Sequence, residues 1–396
     1  MNNKKWKYYI FFIAYTIYIF YQLFYMNSNI KLVFPLPYSI IYFIYALFII
    51  KIASSKFSLK SLSIFWGLII LSLIIYKCSG ELKIFELLLI IYAARDIDFS
   101  SIAKWTRRFL ILGVLTIIIM SLVGIIPNNI FYREDGTERI SLGFVYVSQL
   151  PNIFLVITFL DIFITEKDGK NISIIKIIIY TLINFAIYKI TDVRNTFYIF
   201  ILFLILYCVK RIRASFFEKK LVQLFMTYSY LILFGVSLIM SSIYNPQIEW
   251  HGKLNEYLNN RLLLTNRTLE NYSINLFGNN IPMYGINAVL NGGHSWNEYS
   301  YIDNAYMQIL LKYGIIISIL ISASYTIFIK KAFQRKNFLI CIWFFIMAIS
   351  SVTADSMINI VHNCAILLLF NSLKQKDEYK EKNVNLIYTN TKANIF

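Results

Sequence analysis

Apolar runs long enough to cross a membrane recur along the whole chain, and polar residues are confined to the stretches between them. The first run, YIFFIAYTIYIFYQLFY, lies close to the N-terminus. A helix needs about 20 apolar residues to cross hydrocarbon. Runs of that kind fall at 6–26, 36–52, 58–76, 82–94, 107–126, 144–165, 172–190, 193–211, 220–244, 304–330, 337–353 and 357–373. The pattern predicts an all-α polytopic membrane protein of about twelve transmembrane helices, a single integral membrane domain over 1–396. Span 82–94 is the shortest. The first run is too long for a signal peptide and has no small-residue cleavage site, so it reads as a retained anchor.

Most connections between the runs are short, as in a helix bundle. Two are not. One is PNNIFYREDGTERISLG at 127–143, and the other is the segment 245–303. The larger segment begins with Leu, Ile and Tyr at helical spacing, then turns Gly- and Asn-rich. A long non-spanning segment in a compact bundle is usually functional. The polar tail, 374–396, lacks the apolar content to pack and is expected to be mobile.

Charge sets the orientation. If the N-terminus is cytoplasmic, about 27 of the 38 Lys and Arg residues fall in inner segments and the tail, as the positive-inside rule requires. The expected location is therefore the cytoplasmic (inner) membrane, multi-pass, with both termini cytoplasmic and 245–303 outside. The formal charge of +17 is then spread over the inner loops and the tail, where it contacts membrane lipid, and no nucleic-acid partner is expected. Cys78, Cys208, Cys341 and Cys364 lie on separate spans and form neither a ligand set nor a disulfide framework.

Several chemistries have no sequence support. There is no P-loop, no dinucleotide fingerprint, no HExxH and no Cys/His cluster, and His251, His294 and His362 lack metal-ligand spacing. No metal and no cofactor are expected. Asp161 and Asp355 fall at opposite membrane faces, which excludes an intramembrane aspartyl pair between them.

The arginines on the outer side are the exception to the charge bias: Arg133, Arg139, Arg194, Arg261 and Arg267. A guanidinium is a planar fork that binds phosphate oxygens in pairs and keeps its charge at any pH. Arg194, in TDVRNTF, stands at the mouth of a span, where a charge needs a partner or water. The structural alternative there is an Asp192–Arg194 ion pair or snorkelling to the interface. Asp303 and Asn304 open the span at 304. A carboxylate there can take a proton from a sugar hydroxyl, or the pair can cap the helix N-terminus. His294 is a rival base, since histidine titrates near neutrality. Trp296, Tyr299, Tyr301 and Tyr306 are candidates to stack on sugar rings or to anchor at the interface.

Four segments in order, REDGTERISLGF (133–144), TDVRNTF (191–197), NRLLLTNRTLENYSINLFG (260–278) and YIDNAYMQILLKYGII (301–316), resemble the Wzy-type polysaccharide polymerases of the O-antigen polymerase and ligase superfamily. The resemblance implies a C-type membrane glycosyltransferase-like fold and the joining of oligosaccharide repeat units carried on undecaprenyl diphosphate. It implies that the outer arginines hold the diphosphate and that an outer-loop base activates the acceptor, with Asn304 and Tyr306 in the binding set. A chain-length regulator and a flippase of the same pathway would be its partners. The ligase branch carries His-Asn where this chain has Asp303-Asn304, which favours polymerase over ligase and leaves the base open between Asp303 and His294. A lipid-linked oligosaccharide flippase is the alternative from another class.

Overall fold

The computed structural model describes residues 2–133, 135–285 and 300–371. Helix α1 (Asn2–Phe20) runs on through a π-turn at Tyr21–Met26, and the short α2 (Ile30–Val33) follows. Then come α3 (Ser39–Ala53), α4 (Leu59–Ser79), α5 (Lys83–Ala94) and α6 (Phe99–Leu122). A small hairpin interrupts the helical pattern, β1 (Ile130–Tyr132) pairing antiparallel with β2 (Glu138–Ile140). Helices α7 (Gln149–Lys167), α8 (Ile174–Thr191) and α9 (Arg194–Ile212) follow, then α10 (Lys220–Thr227) and α11 (Ser229–Ser242). The long connection folds into α12 (Glu249–Tyr257) and α13 (Arg261–Asn271) before α14 (Ala305–Gln334), α15 (Phe338–Ser350) and the short α16 (Leu368–Asn371).

Seven of the described helices are long and apolar enough to cross a membrane, and α10 with α11, bent by 55°, makes an eighth if the pair is one span. Helices α3 and α15 are apolar but shorter. The protein is therefore an all-α, multi-pass membrane protein. The lipid-facing helices α4 and α8 leave most of their apolar side chains outward, whereas α7 and α15 are nearly wholly enclosed. Trp343 on α15 stacks on Phe159 of α7 at 4.0 Å, at the heart of the bundle.

The helix ends sort into two faces. One carries the Lys51–Asp96, Lys104–Asp168 and Lys336–Glu218 ion pairs, at 3.9, 3.3 and 2.8 Å. On the same side Asp161 is gripped by Arg107 and Lys176 and accepts from Tyr180 at 2.7 Å. The opposite face holds the hairpin, the α8–α9 turn and the long connection, and is called the loop face below.

Two departures from the expected spans shape that face. The run 357–373 was expected to be a helix. Instead, residues 351–363 are irregular, followed by a 3-10 turn at Cys364–Leu367 and the four-residue α16. Met357, Val361, His362 and Asn363 are nonetheless buried. Backbone of this kind survives inside a membrane protein only where neighbouring groups satisfy it. Tyr325 donates to the Met357 carbonyl at 2.7 Å, Trp343 donates to Asn363 Oδ1 at 3.1 Å, and Asn363 Nδ2 donates to the Met357 carbonyl at 3.2 Å. The second departure is a break in α14 at Gly314 (φ 87°, ψ 174°). The stretch 275–279 of the long connection fills the break: Ile315 N–H donates to the Asn275 carbonyl and Asn279 N–H to the Leu311 carbonyl, both at 3.0 Å. Side chains are excluded here. A Cβ on Gly278 would lie 2.0 Å from the Lys312 carbonyl oxygen, and one on Gly314 2.3 Å from that of Leu276.

Candidate functional site

The hairpin carries Arg133 and Arg139 to the α8–α9 turn. Phe131 pairs with Arg139 across the strands, and the turn beyond β1 closes through Arg133 N–H to the Thr137 carbonyl at 3.0 Å. Arg133 Nε donates to the Asp192 carboxylate, its Nη2 donates to the Asp192 backbone carbonyl at 2.8 Å, and its Nη1 reaches Asn259 Oδ1 at 3.4 Å. Arg139 Nε donates to the Thr191 carbonyl at 3.3 Å, with its guanidinium 5.8 Å from the Tyr146 ring centroid. Asp192 can hold this position because it ends α8 in the left-handed region (φ 43°), which Asp tolerates better than most residues. Its other oxygen lies 3.6 Å from Arg194 Nε. Three of the five sequence-derived arginines thus meet at one turn. The expected Asp192–Arg194 contact is present, but it is the long arm of a bridge whose short arm goes to Arg133.

Arg194 is the open fork of the site, 51% exposed with one long ion-pair contact among the described residues. Asp135, on the hairpin turn, accepts hydrogen bonds from Thr137 that hold its carboxyl below the ordinary range, and Arg133 and Arg194 add to the effect.

A second cluster lies across the α12–α13 turn. Asn259 and Asn260 are both left-handed (φ 52° and 63°), and Asn255 ties the turn together by donating to Asn260 Oδ1 at 2.9 Å and accepting from Leu263 N–H at 3.0 Å. The turn points Asn259 at Arg133 and carries Arg261, whose Nε lies 3.4 Å from Asp303 Oδ2. Arg261 Nη1 donates to the Leu258 carbonyl at 2.9 Å. One tight turn therefore links the three-arginine cluster to Asp303. Arg267 stands apart, exposed on α13, with no ion pair to the described residues.

The Asp303-Asn304 pair divides its roles. Asn304 is the helix cap. It accepts from the Tyr306 and Met307 N–H groups at 3.0 and 3.2 Å and donates to Ser237 Oγ at 3.0 Å. Buried and fully used, it is not a substrate ligand in this arrangement. Tyr306 is also corrected: it is buried and its hydroxyl donates to the Ala348 carbonyl at 2.8 Å, so no ring face is left for a sugar. Asp303 caps nothing. Among the described residues it accepts no hydrogen bond, and Arg261 is its one ion-pair partner. Burial pushes its carboxyl up, Arg261 opposes this, and Asp355 adds to it. His294, Trp296 and Tyr299 lie outside the described residues.

Sequence reasoning weighed Asp355 and His362 only for a protease pair and a metal site, and gave neither a place beside Asp303. Tyr301 Oη donates to Asp355 Oδ2 at 3.1 Å, and Ala305 N–H donates to the Ser351 carbonyl at 2.9 Å, so the irregular 351–363 segment lies along the start of α14. His362 is buried, with Nε2 2.9 Å from Gln149 Oε1 and Nδ1 unpartnered among the described residues. Asp355 and Lys83 are its charged neighbours. The signal that could have exposed both residues was the polar content of TADSMINIVHN, too high for a helix facing lipid. Among the described residues no group of His, Cys, Asp and Glu could hold a metal ion. No protein-family model, curated protein or solved structure matches this chain.

Proposed function

We propose that this protein joins oligosaccharide repeat units carried on undecaprenyl diphosphate, as a polysaccharide polymerase of the Wzy type acting at the outer face of a bacterial cytoplasmic membrane. The observation that carries the reading is the convergence of Arg133, Arg139 and Arg194 on the Thr191–Asp192 turn, with Asp303 linked to them through one short turn. The loop face is then extracytoplasmic and the lysine-rich face cytoplasmic.

The reaction asks little covalent chemistry of the protein. The acceptor sugar's hydroxyl oxygen bonds to the anomeric carbon of the donor glycan as the bond from that carbon to the diphosphate oxygen breaks. The hydroxyl proton passes to Asp303, and undecaprenyl diphosphate leaves with the bonding electrons. Guanidinium forks suit the negative charge that builds on the leaving group, and such preorganised donors supply much of an enzyme's rate enhancement. Arg194, exposed and loosely held, is placed to meet the diphosphate. Arg133 and Arg139 hold the turn that presents it. The activated leaving group makes a nucleotide unnecessary.

Cells making the lipid-linked repeat test the reading. Deleting the protein should leave single repeats on the lipid, exposed at the outer leaflet and open to periodate oxidation in intact cells. Repeats trapped at the cytoplasmic leaflet would make the protein a flippase. Long polymer left on the carrier lipid would make it a ligase.

A further inference from the structure

Asp303 stands between opposing influences. Arg261 on α13 draws it into an ion pair at 3.4 Å, which would leave it a weak proton acceptor. The 351–363 segment also lies near it, held to the start of α14 by the Ala305–Ser351 backbone hydrogen bond at 2.9 Å. That segment carries Asp355, held at 3.1 Å by the hydroxyl of Tyr301, two residues before Asp303.

We propose that Asp355 is a positioning residue for the candidate base: clamped by Tyr301, it faces Asp303 as a second carboxylate and keeps Asp303 a proton acceptor despite Arg261. The inference rests on the reading of Asp303 as the base. Two carboxylates close together resist ionising together, so the second raises the proton affinity of the first. The direction found for Asp303 agrees with this, because Asp355 adds to the effect of burial, which Arg261 opposes. Besides Tyr301, the described titratable groups that feel the Asp355 charge are His362, on its own segment, and Tyr313 on α14, and Lys83 at the start of α5 also acts on His362. Among the described residues neither Lys83 nor His362 contributes to Asp303 itself, and Arg261 and Asp355 are the two opposing charges on it. The irregular stretch after Ser350 lays Asp355 against Tyr301.

The test uses the full-length protein in detergent micelles and a water-soluble carbodiimide with an amine nucleophile, read by peptide mass spectrometry. Carbodiimide modifies protonated carboxyls, and Asp303, 31% exposed, is within its reach. In the wild type, labelling of Asp303 should persist above the ordinary aspartate range near pH 4. In Asp355→Asn the labelling midpoint should move to lower pH, and in Asp355→Glu it should stay near the wild-type position. A structural role for Asp355 would change protein yield without moving the midpoint. A wild-type midpoint in the ordinary range, or an unmoved midpoint in Asp355→Asn, overturns the proposal, and the wild-type arm requires no variant to fold. Polymer formation is read separately. If the proposal holds, the acid limb of the rate profile moves with the labelling midpoint. If the midpoint moves but Asp303→Asn still makes polymer, Asp355 acts on a carboxyl that is not the base, and the reading of Asp303 falls.

Discussion

Arg133 and Asp192 are joined twice, through the carboxylate and through the backbone carbonyl at 2.8 Å. This double contact lets a surface hairpin register against a helix turn 59 residues away in the chain. The guanidinium is mostly covered, as is Asp192. Asp192→Asn should keep the turn but cut the charge-assisted bond, costing about 1–3 kcal/mol. The expected outcome is a lower melting temperature in detergent together with loss of polymer, since Arg133 and Arg194 both lose their carboxylate.

Arg194 should behave differently. Its exposed side chain and its 3.6 Å contact contribute about 0–1 kcal/mol to stability. Arg194→Ala should therefore insert and melt like the wild type while leaving single repeats on the lipid. Arg194→Lys should also polymerise poorly, because an ammonium cannot reproduce the paired donors of a guanidinium. Normal chain lengths in the lysine variant would remove the bidentate role.

Asp303 and its neighbour separate chemistry from capping. Asp303→Asn leaves the Asn304 cap untouched, so protein level should hold while the rate falls about 10²–10⁴-fold, the usual worth of a general base. Asn304→Ala should do the reverse, costing about 1 kcal/mol of stability. A polymerising Asp303→Asn variant alongside an inactive His294→Ala variant would move the base to His294.

The inserted stretch at the α14 break is a packing test. Gly278→Ala places a methyl 2.0 Å from the Lys312 carbonyl oxygen at a backbone angle of φ 85°. Steric overlap and left-handed strain both act against it. Expression and thermal stability should fall sharply, whereas Gly252→Ala, with open space around its Cβ position, should be silent.

Sidedness can be read directly. Ser273 on the loop face and Ser215 on the opposite face are both exposed. In intact cells an impermeant thiol reagent should label Ser273→Cys and leave Ser215→Cys unlabelled. The opposite pattern would invert the orientation.

The membrane class was legible in the sequence because burial in lipid is a local property. Each apolar run must satisfy its own backbone, so helices such as α4, α8 and α9 stand close to the expected spans. The outer arginines were legible for a related reason, since charge on that side runs against a bias visible in single residues. Their grouping was not, because Arg133, Asp192 and Asn259 are far apart in sequence and only the hairpin and the left-handed turns bring them together. The last expected span failed for the same reason. Apolar content at 357–373 predicts a helix, but Tyr325 and Trp343 supply hydrogen bonds that let the backbone stay irregular. Local composition determines where a chain can enter a membrane. Long-range hydrogen bonding decides where, once inside, it can afford not to be a helix, and here that choice sets Asp355 beside Tyr301.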